Sequence, residues 1–207
     1  DARRVSNPGC YATGFVALAR PLRDAGLLRE EAKLACSAVS GYTGGGKALV
    51  QIHEAGAEPW GAYGFNLNHK HLPEMTKHSK LTTSPVFLPS VGAFAQGMVV
   101  SLLLHDDDAL TTSHGADLHA ALHAHYAESH FVTVHPYNPH ESAPDLLARS
   151  AFLDPTELPG STNLAIFVFA NDDKRTSLLC ARLDNLGKGA SAAAVQNLNI
   201  MLGLDEP

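Results

Sequence analysis

Three apolar runs limit what this chain can fold into. Gly97 to Leu104, Leu164 to Phe169 and Leu178 to Leu183 are each strand-sized, and the polar turn Asn171-Asp172-Asp173-Lys174 lies between the last two. The last pair therefore reads as a hairpin. Apart from Ser101, the first run is apolar at both alternations, which predicts a strand covered on both faces. Leu34 to Val39 and Phe131 to Val134 add two shorter strands. Helical spacing of Phe15, Leu18, Ala19 and Leu22 predicts a helix from Tyr11 to about Gly26, which Pro21 kinks or interrupts. Further helices are expected over residues 48–55, over 117–128 (Leu118 and Leu122 four apart) and over 190–202. The stretch around Asn66 to Glu74 reads as loop, and Asn138 to Pro159, rich in proline and polar residues, as a long surface connection. The order of elements predicts an α+β domain: a mixed, largely antiparallel sheet with helices on one face.

With 207 residues and 45% hydrophobic content the chain can build one real core. Its net charge of -6 and scattered Lys and Arg argue against nucleic acid as a partner. No apolar stretch approaches the roughly 20 residues of a membrane span, and the first residues do not form a signal peptide. Three cysteines without metal spacing read as free thiols of a reducing, cytoplasmic setting.

The chemically suggestive segment is Ser6-Asn7-Pro8-Gly9-Cys10, where a loop turns into a helix. Unpaired backbone amides and the helix dipole favour a thiolate there, the nucleophilic form of cysteine. A buried structural thiol is the alternative at Cys10, and the preferred reading for Cys36 and Cys180, which lie in apolar strands. His69 and His71, followed by Glu74, offer groups that move protons near neutral pH. Ser40 to Lys47 is a glycine-rich loop able to offer backbone amides to an anion, with Lys47 as a point charge, though without P-loop spacing. His119 and His123, four apart, with His125 following, invite a metal, but no Cys pair or HExxH pattern accompanies them, and no metal is expected. The small residues from Gly189 to Ala194 permit close approach of a backbone or a flat ligand at the start of the last helix. An active-site loop so near residue 1 leads us to expect further sequence before it.

Together these segments resemble N-acetyl-gamma-glutamyl-phosphate reductase. The residues that carry the resemblance are Ser6 to Gly14, His69-Lys70-His71-Leu72-Pro73-Glu74, the Ser40 to Lys47 loop in its shorter-subtype form, and Asp184 to Ala190 with Gln196-Asn197. The resemblance implies the C-terminal domain fold shared by semialdehyde dehydrogenases and glyceraldehyde-3-phosphate dehydrogenase. Residues 1–185 would be the catalytic and dimerisation domain. Residues 186–207 would form a helix packing on an N-terminal Rossmann domain that binds NADP and lies outside this chain. Cys10 would form a thioester with the acyl phosphate and His69 would shuttle the proton, with His71 in reserve. His71, Glu74, Ser40, Gly41 and Lys47 would bind substrate; Asn185, Gly187 and Lys188 would face the cofactor. Gln96 stands where many relatives carry arginine, which leaves the phosphate ligand open among Lys47, Lys70 and Arg175. The partners implied are a small-molecule substrate, either N-acetylglutamyl or an aminoadipyl homologue, and further copies of the chain in a dimer or tetramer. Two other functions compete: a cofactor-independent cysteine hydrolase or acyltransferase using Cys10 and His69, and a non-catalytic dimerisation module.

Overall fold

The computed structural model describes residues 2–56, 59–111, 114–149 and 151–206, without the side chains of residues 107 and 108. Residues 1, 57, 58, 112, 113 and 150 of the expected first domain and residue 207 of the expected C-terminal segment thus lie outside the described residues. The strands are β1 (Ala35–Gly41), β2 (Trp60–Ala62), β3 (Val86–Gly92), β4 (Met98–His105), β5 (Val132–Val134), β6 (Leu164–Asn171) and β7 (Thr176–Leu183). They form a sheet of order β2-β3-β1-β4-β7-β6-β5. The β1/β3 and β5/β6 pairs are parallel and the other four antiparallel, so the sheet is mixed and mainly antiparallel. The expected hairpin is β6–β7; Asn171 Oδ1 accepts the Lys174 amide and closes its turn.

The helices are α1 (Cys10–Asp24), α2 (Gly46–Glu54), α3 (Leu72–His78), α4 (Asp106–Ala109), α5 (Gly115–Tyr126), α6 (Pro139–Ser142) and α7 (Ala192–Leu202). The apolar stripe of α1, Phe15, Leu18, Ala19 and Leu22, is fully buried. Leu118 and Leu122 of α5 and Met75 of α3 join it over Val100, Leu102, Ile166, Leu179 and Ala181. This single layer of helices covers one face of the sheet. Pro21 does not break α1; the helix runs three residues beyond it, and the Ala25 amide donates to the Pro21 carbonyl at 2.9 Å.

Three sequence expectations need correction. The stretch read as loop up to Glu74 already enters α3, and β3 had no assignment at all. The last helix starts at Ala192, after a wide turn over Gly187–Ser191. β4 is covered on both faces only near Val99, where Leu147, Ala165, Phe167 and Cys180 pack. Towards its other end Leu103 is 48% exposed. In register beside it stand Val86, Ala35 and Leu178, so an open apolar row crosses β3, β1, β4 and β7. Among the described residues no helix is long and apolar enough to cross a membrane.

Candidate active site

The site lies where α1 begins. Gly9, in extended conformation (φ -69, ψ 152), is its N-cap and offers no side chain to the first-turn amides. The Gly9 amide instead donates to Glu74 Oε2 of α3 at 2.8 Å. On the Cα of the same residue sits the imidazole of His71: a Cβ placed on Gly9 would lie 2.0 Å from Nε2. Gly9 is therefore held between a carboxylate and an imidazole, and only a residue without a side chain fits.

His71 caps α3 and is 7% exposed, and its Nδ1 has no partner among the described residues. Burial above all, then the neighbouring His69, pushes its pKa down to about 4, although Glu74 pulls the other way. The His69 pKa is lowered by burial and by Lys70. Both rings are neutral at physiological pH. Their centroids are 4.7 Å apart, and Tyr11 lies 5.8 Å from His69 and 5.9 Å from His71.

Burial pushes the Cys10 thiol up. The amides of Tyr11 and Cys10 and the Lys70 charge pull it down, and Glu74 adds a smaller upward push. The net direction is upward, so the thiolate expected from the helix mouth is not the resting form; loss of solvation outweighs the amides and the dipole.

Two tyrosines and a glycine complete the site. Tyr63 donates to the Tyr11 hydroxyl at 3.3 Å, and Tyr11 donates to the Ser90 carbonyl at 3.0 Å. Ionisation of Cys10 would oppose ionisation of both phenols. A Cβ on Gly189 would lie 2.7 Å from that of Cys10, so the turn before α7 packs directly behind the thiol. Sequence reasoning missed Tyr63 and Tyr11. It anticipated a close approach at Gly189 but not that Cys10 makes it.

Of the other expected residues, Ser40 lies near the end of β1, buried, where its hydroxyl donates to the Gly41 carbonyl at 3.0 Å. Gly41 packs on the Ala95 carbonyl and its amide donates to Gly97 at 2.9 Å. Lys47 is exposed on α2, a helix without a buried residue, and Arg175 is in the β6–β7 turn at the far end of β7 from Asp184. Of the three basic candidates only Lys70 acts on Cys10 and both histidines. The amide of Asn185 is committed within the domain: Oδ1 accepts from the Gly97 amide at 2.9 Å and Nδ2 donates to Thr43 at 3.0 Å. Gly187 is pressed against the Ser161 carbonyl and Asp184, while Lys188 Nζ donates to Gln196 Oε1 at 2.8 Å. Lys188 lines a cavity of about 640 Å³ together with Asn7, Thr13, Glu74 and Asn197. No three potential metal ligands converge among the described residues.

Fold and site together define an α+β domain that gathers a thiol turn, two neutral imidazoles and a carboxylate at one end of a mixed sheet. The chain belongs to the semialdehyde dehydrogenase dimerisation-domain family, whose model matches residues 10–185. It is 46% identical over its whole length to N-acetyl-gamma-glutamyl-phosphate reductase 2 of Nostoc sp. (strain PCC 7120), of which it covers 66%. It is 49% identical over 98% of its length to the N-acetyl-gamma-glutamyl-phosphate reductase of Sinorhizobium medicae, of which it covers 65%. The chain thus spans just under two thirds of these relatives. Among solved structures it resembles aspartate semialdehyde dehydrogenase II from Vibrio cholerae, with TM-score 0.65 at 13% identity over 96% of this chain and 62% of that one. The enzyme from Francisella tularensis gives 0.65 at 14% identity over 94% of this chain and 64% of that one. At such identities the structural likeness establishes the fold alone.

Proposed function

We propose that this chain is the catalytic and dimerisation part of an NADPH-dependent N-acetyl-gamma-glutamyl-phosphate reductase of arginine biosynthesis. The observation that carries the reading is Gly9, held between Glu74 and His71 immediately before Cys10. Such an arrangement fixes a nucleophile beside a base. Cys10 Sγ attacks the acyl-phosphate carbonyl, the carbon–oxygen bond to phosphate breaks, and a thioester remains. Hydride addition to that thioester gives a thiohemiacetal oxyanion, whose collapse breaks the carbon–sulfur bond and releases the semialdehyde. In this proposal the Cys10 proton goes to His71, not to His69 as the sequence suggested. The His71 Nε2 lies against Gly9, and Glu74 partly offsets the burial and the His69 ring that disfavour its charged form. Lys70 is the cation offered to the phosphate.

When bound, NADPH supplies the hydride. Its face of this chain would be Gly187 and Lys188; the half-buried ammonium on the cavity wall suits an anionic or amide-bearing ligand. The Asn185 amide, with one bond at each end, ties the Gly97 and Thr43 loops together beside that face and keeps a second N–H for the cofactor. The cofactor domain would pack on the outer side of α7, where Val195, Leu198, Ile200, Met201 and Leu202 are exposed. Three free thiols suit a reducing cytoplasm.

The test is the reverse assay. With its cofactor domain attached, the protein is expected to reduce NADP+ with N-acetylglutamate 5-semialdehyde only when phosphate is present. This chain alone is expected to be inactive. Phosphate-independent turnover, or hydrolysis of activated esters by the chain alone, contradicts the assignment.

We propose also that two copies pair through the open row Val86, Ala35, Leu103 and Leu178, because an apolar strip across four strands is otherwise left in water. Leu103→Asp is expected to shift sedimentation from dimer to monomer. A dimer that survives the change would exclude this face.

A further inference from the structure

We propose that His69 is held as one neutral tautomer, protonated at Nε2, and that it donates a hydrogen bond to the reacting carbonyl oxygen and takes no proton from Cys10. The second clause rests on the reductase reading; the first does not.

The His71 amide donates to His69 Nδ1 at 3.2 Å. An amide N–H can only donate, so Nδ1 must present its lone pair, and a neutral ring then carries its proton on Nε2. The ring has little freedom to do otherwise. Tyr11 from α1 and Phe87 from β3 meet it edge-on at 5.8 and 5.2 Å, His71 meets it edge-on at 4.7 Å, and Tyr63 tilts over it at 6.0 Å. A charged ring is disfavoured in this cage. The ionisable neighbours are the phenols of Tyr11 and Tyr63, neutral His71, and Lys70, whose positive charge repels an imidazolium. The nearby carboxylate, Glu74, is bonded to the Gly9 amide and bears on His71.

A ring in this state has no lone pair left for the thiol proton: Nδ1 is occupied and Nε2 is already protonated. What it offers is a fixed neutral N–H. A neutral imidazole is a suitable electrophile for a carbonyl oxygen that gains negative charge, because it polarises that oxygen without bringing a counter-charge. The two histidines of the motif thus divide the work. His71 takes the proton at the thiol turn, and His69 supports the oxyanion when the thioester forms and again when hydride arrives.

The test has two arms. The first is long-range proton–nitrogen correlation on the histidine-labelled chain, with the His69 signals assigned by their loss in His69→Gln. The expected result at pH 7 is a protonated-type Nε2 and an unprotonated-type Nδ1. A Nδ1-protonated ring, a tautomer mixture or an imidazolium at pH 7 would overturn the proposal while leaving the reductase reading intact. The second arm is turnover of the enzyme with its cofactor domain. His69→Ala is expected to lower kcat by about 10²–10³-fold, the usual cost of losing one oxyanion donor. His69→Gln keeps an N–H donor at similar reach and is expected to recover at least ~10-fold of that loss. Equal losses in both variants would overturn the donor role. Absence of any phosphate-dependent NADP+ reduction in the unsubstituted enzyme would instead remove the reading on which that role rests.

Discussion

Replacing Cys10 by serine is expected to lower turnover by on the order of 10⁴-fold, since loss of a nucleophile removes the covalent step altogether. The melting temperature should stay within a few degrees. Serine is nearly the same size as cysteine and fits the same space against Gly189. The unsubstituted chain provides an independent check through alkylation. Cys36 and Cys180 are buried, and burial pushes the first thiol far up and the second to about 11. Iodoacetamide should therefore modify one thiol in the native chain and three in denaturant. Because the Cys10 thiol is held above its ordinary value of 9.0, its alkylation rate should still be climbing at pH 9. A rate that levels off below pH 8 would mean that the resting thiol is already ionised and needs no base. Turnover surviving in Cys10→Ser would remove the thioester from the scheme.

Much of this fold could be read from the sequence because its strongest elements are periodic or continuous. The stripe of α1 and the β6–β7 hairpin bury what their patterns announce, whereas the two-sided run of β4 does so only near Val99. β3 was missed for a physical reason. Pro89 lies inside it, and proline argues against an inner strand. Yet Pro89 stands where the β2 ladder ends: its carbonyl still accepts the Tyr63 amide at 3.0 Å, and having no N–H to return, it closes the pairing there. The site divides along similar lines. Gly9, Cys10, His69, His71 and Glu74 stand in two short segments, and their chemistry could be named from residue type. Tyr63 was not legible, because nothing local separates a phenol aimed at a site from one on the surface. Its only signal was a place six residues before His69 in the same loop. The Cys10 ionisation was misjudged because an exposed helix mouth and a buried one look identical in sequence, while burial decides the sign.

Gly9→Ala is expected to cost about 10² in turnover and about 1–3 kcal/mol in stability, although the change adds one methyl group. The backbone gives no reason for this: at φ -69 and ψ 152 an alanine is unstrained. A glycine replaced by alanine in such a conformation normally gains about 0.4–1 kcal/mol by restricting the unfolded chain. Here the new Cβ would lie 2.0–2.4 Å from three atoms of the His71 ring. That ring is nearly buried and cannot swing out, so either it or the Gly9–Cys10 turn must shift, breaking the alignment of thiol and base. The sign of the effect therefore belongs to the imidazole. In a His71→Ala background the clash has no partner, and the same Gly9→Ala change should stabilise the chain by about 0.4–1 kcal/mol while turnover stays low. Chemical denaturation of the four proteins in the cycle measures this directly. If the two substitutions destabilise additively, the His71 ring does not press on Gly9 and the geometry assigned to this site is wrong.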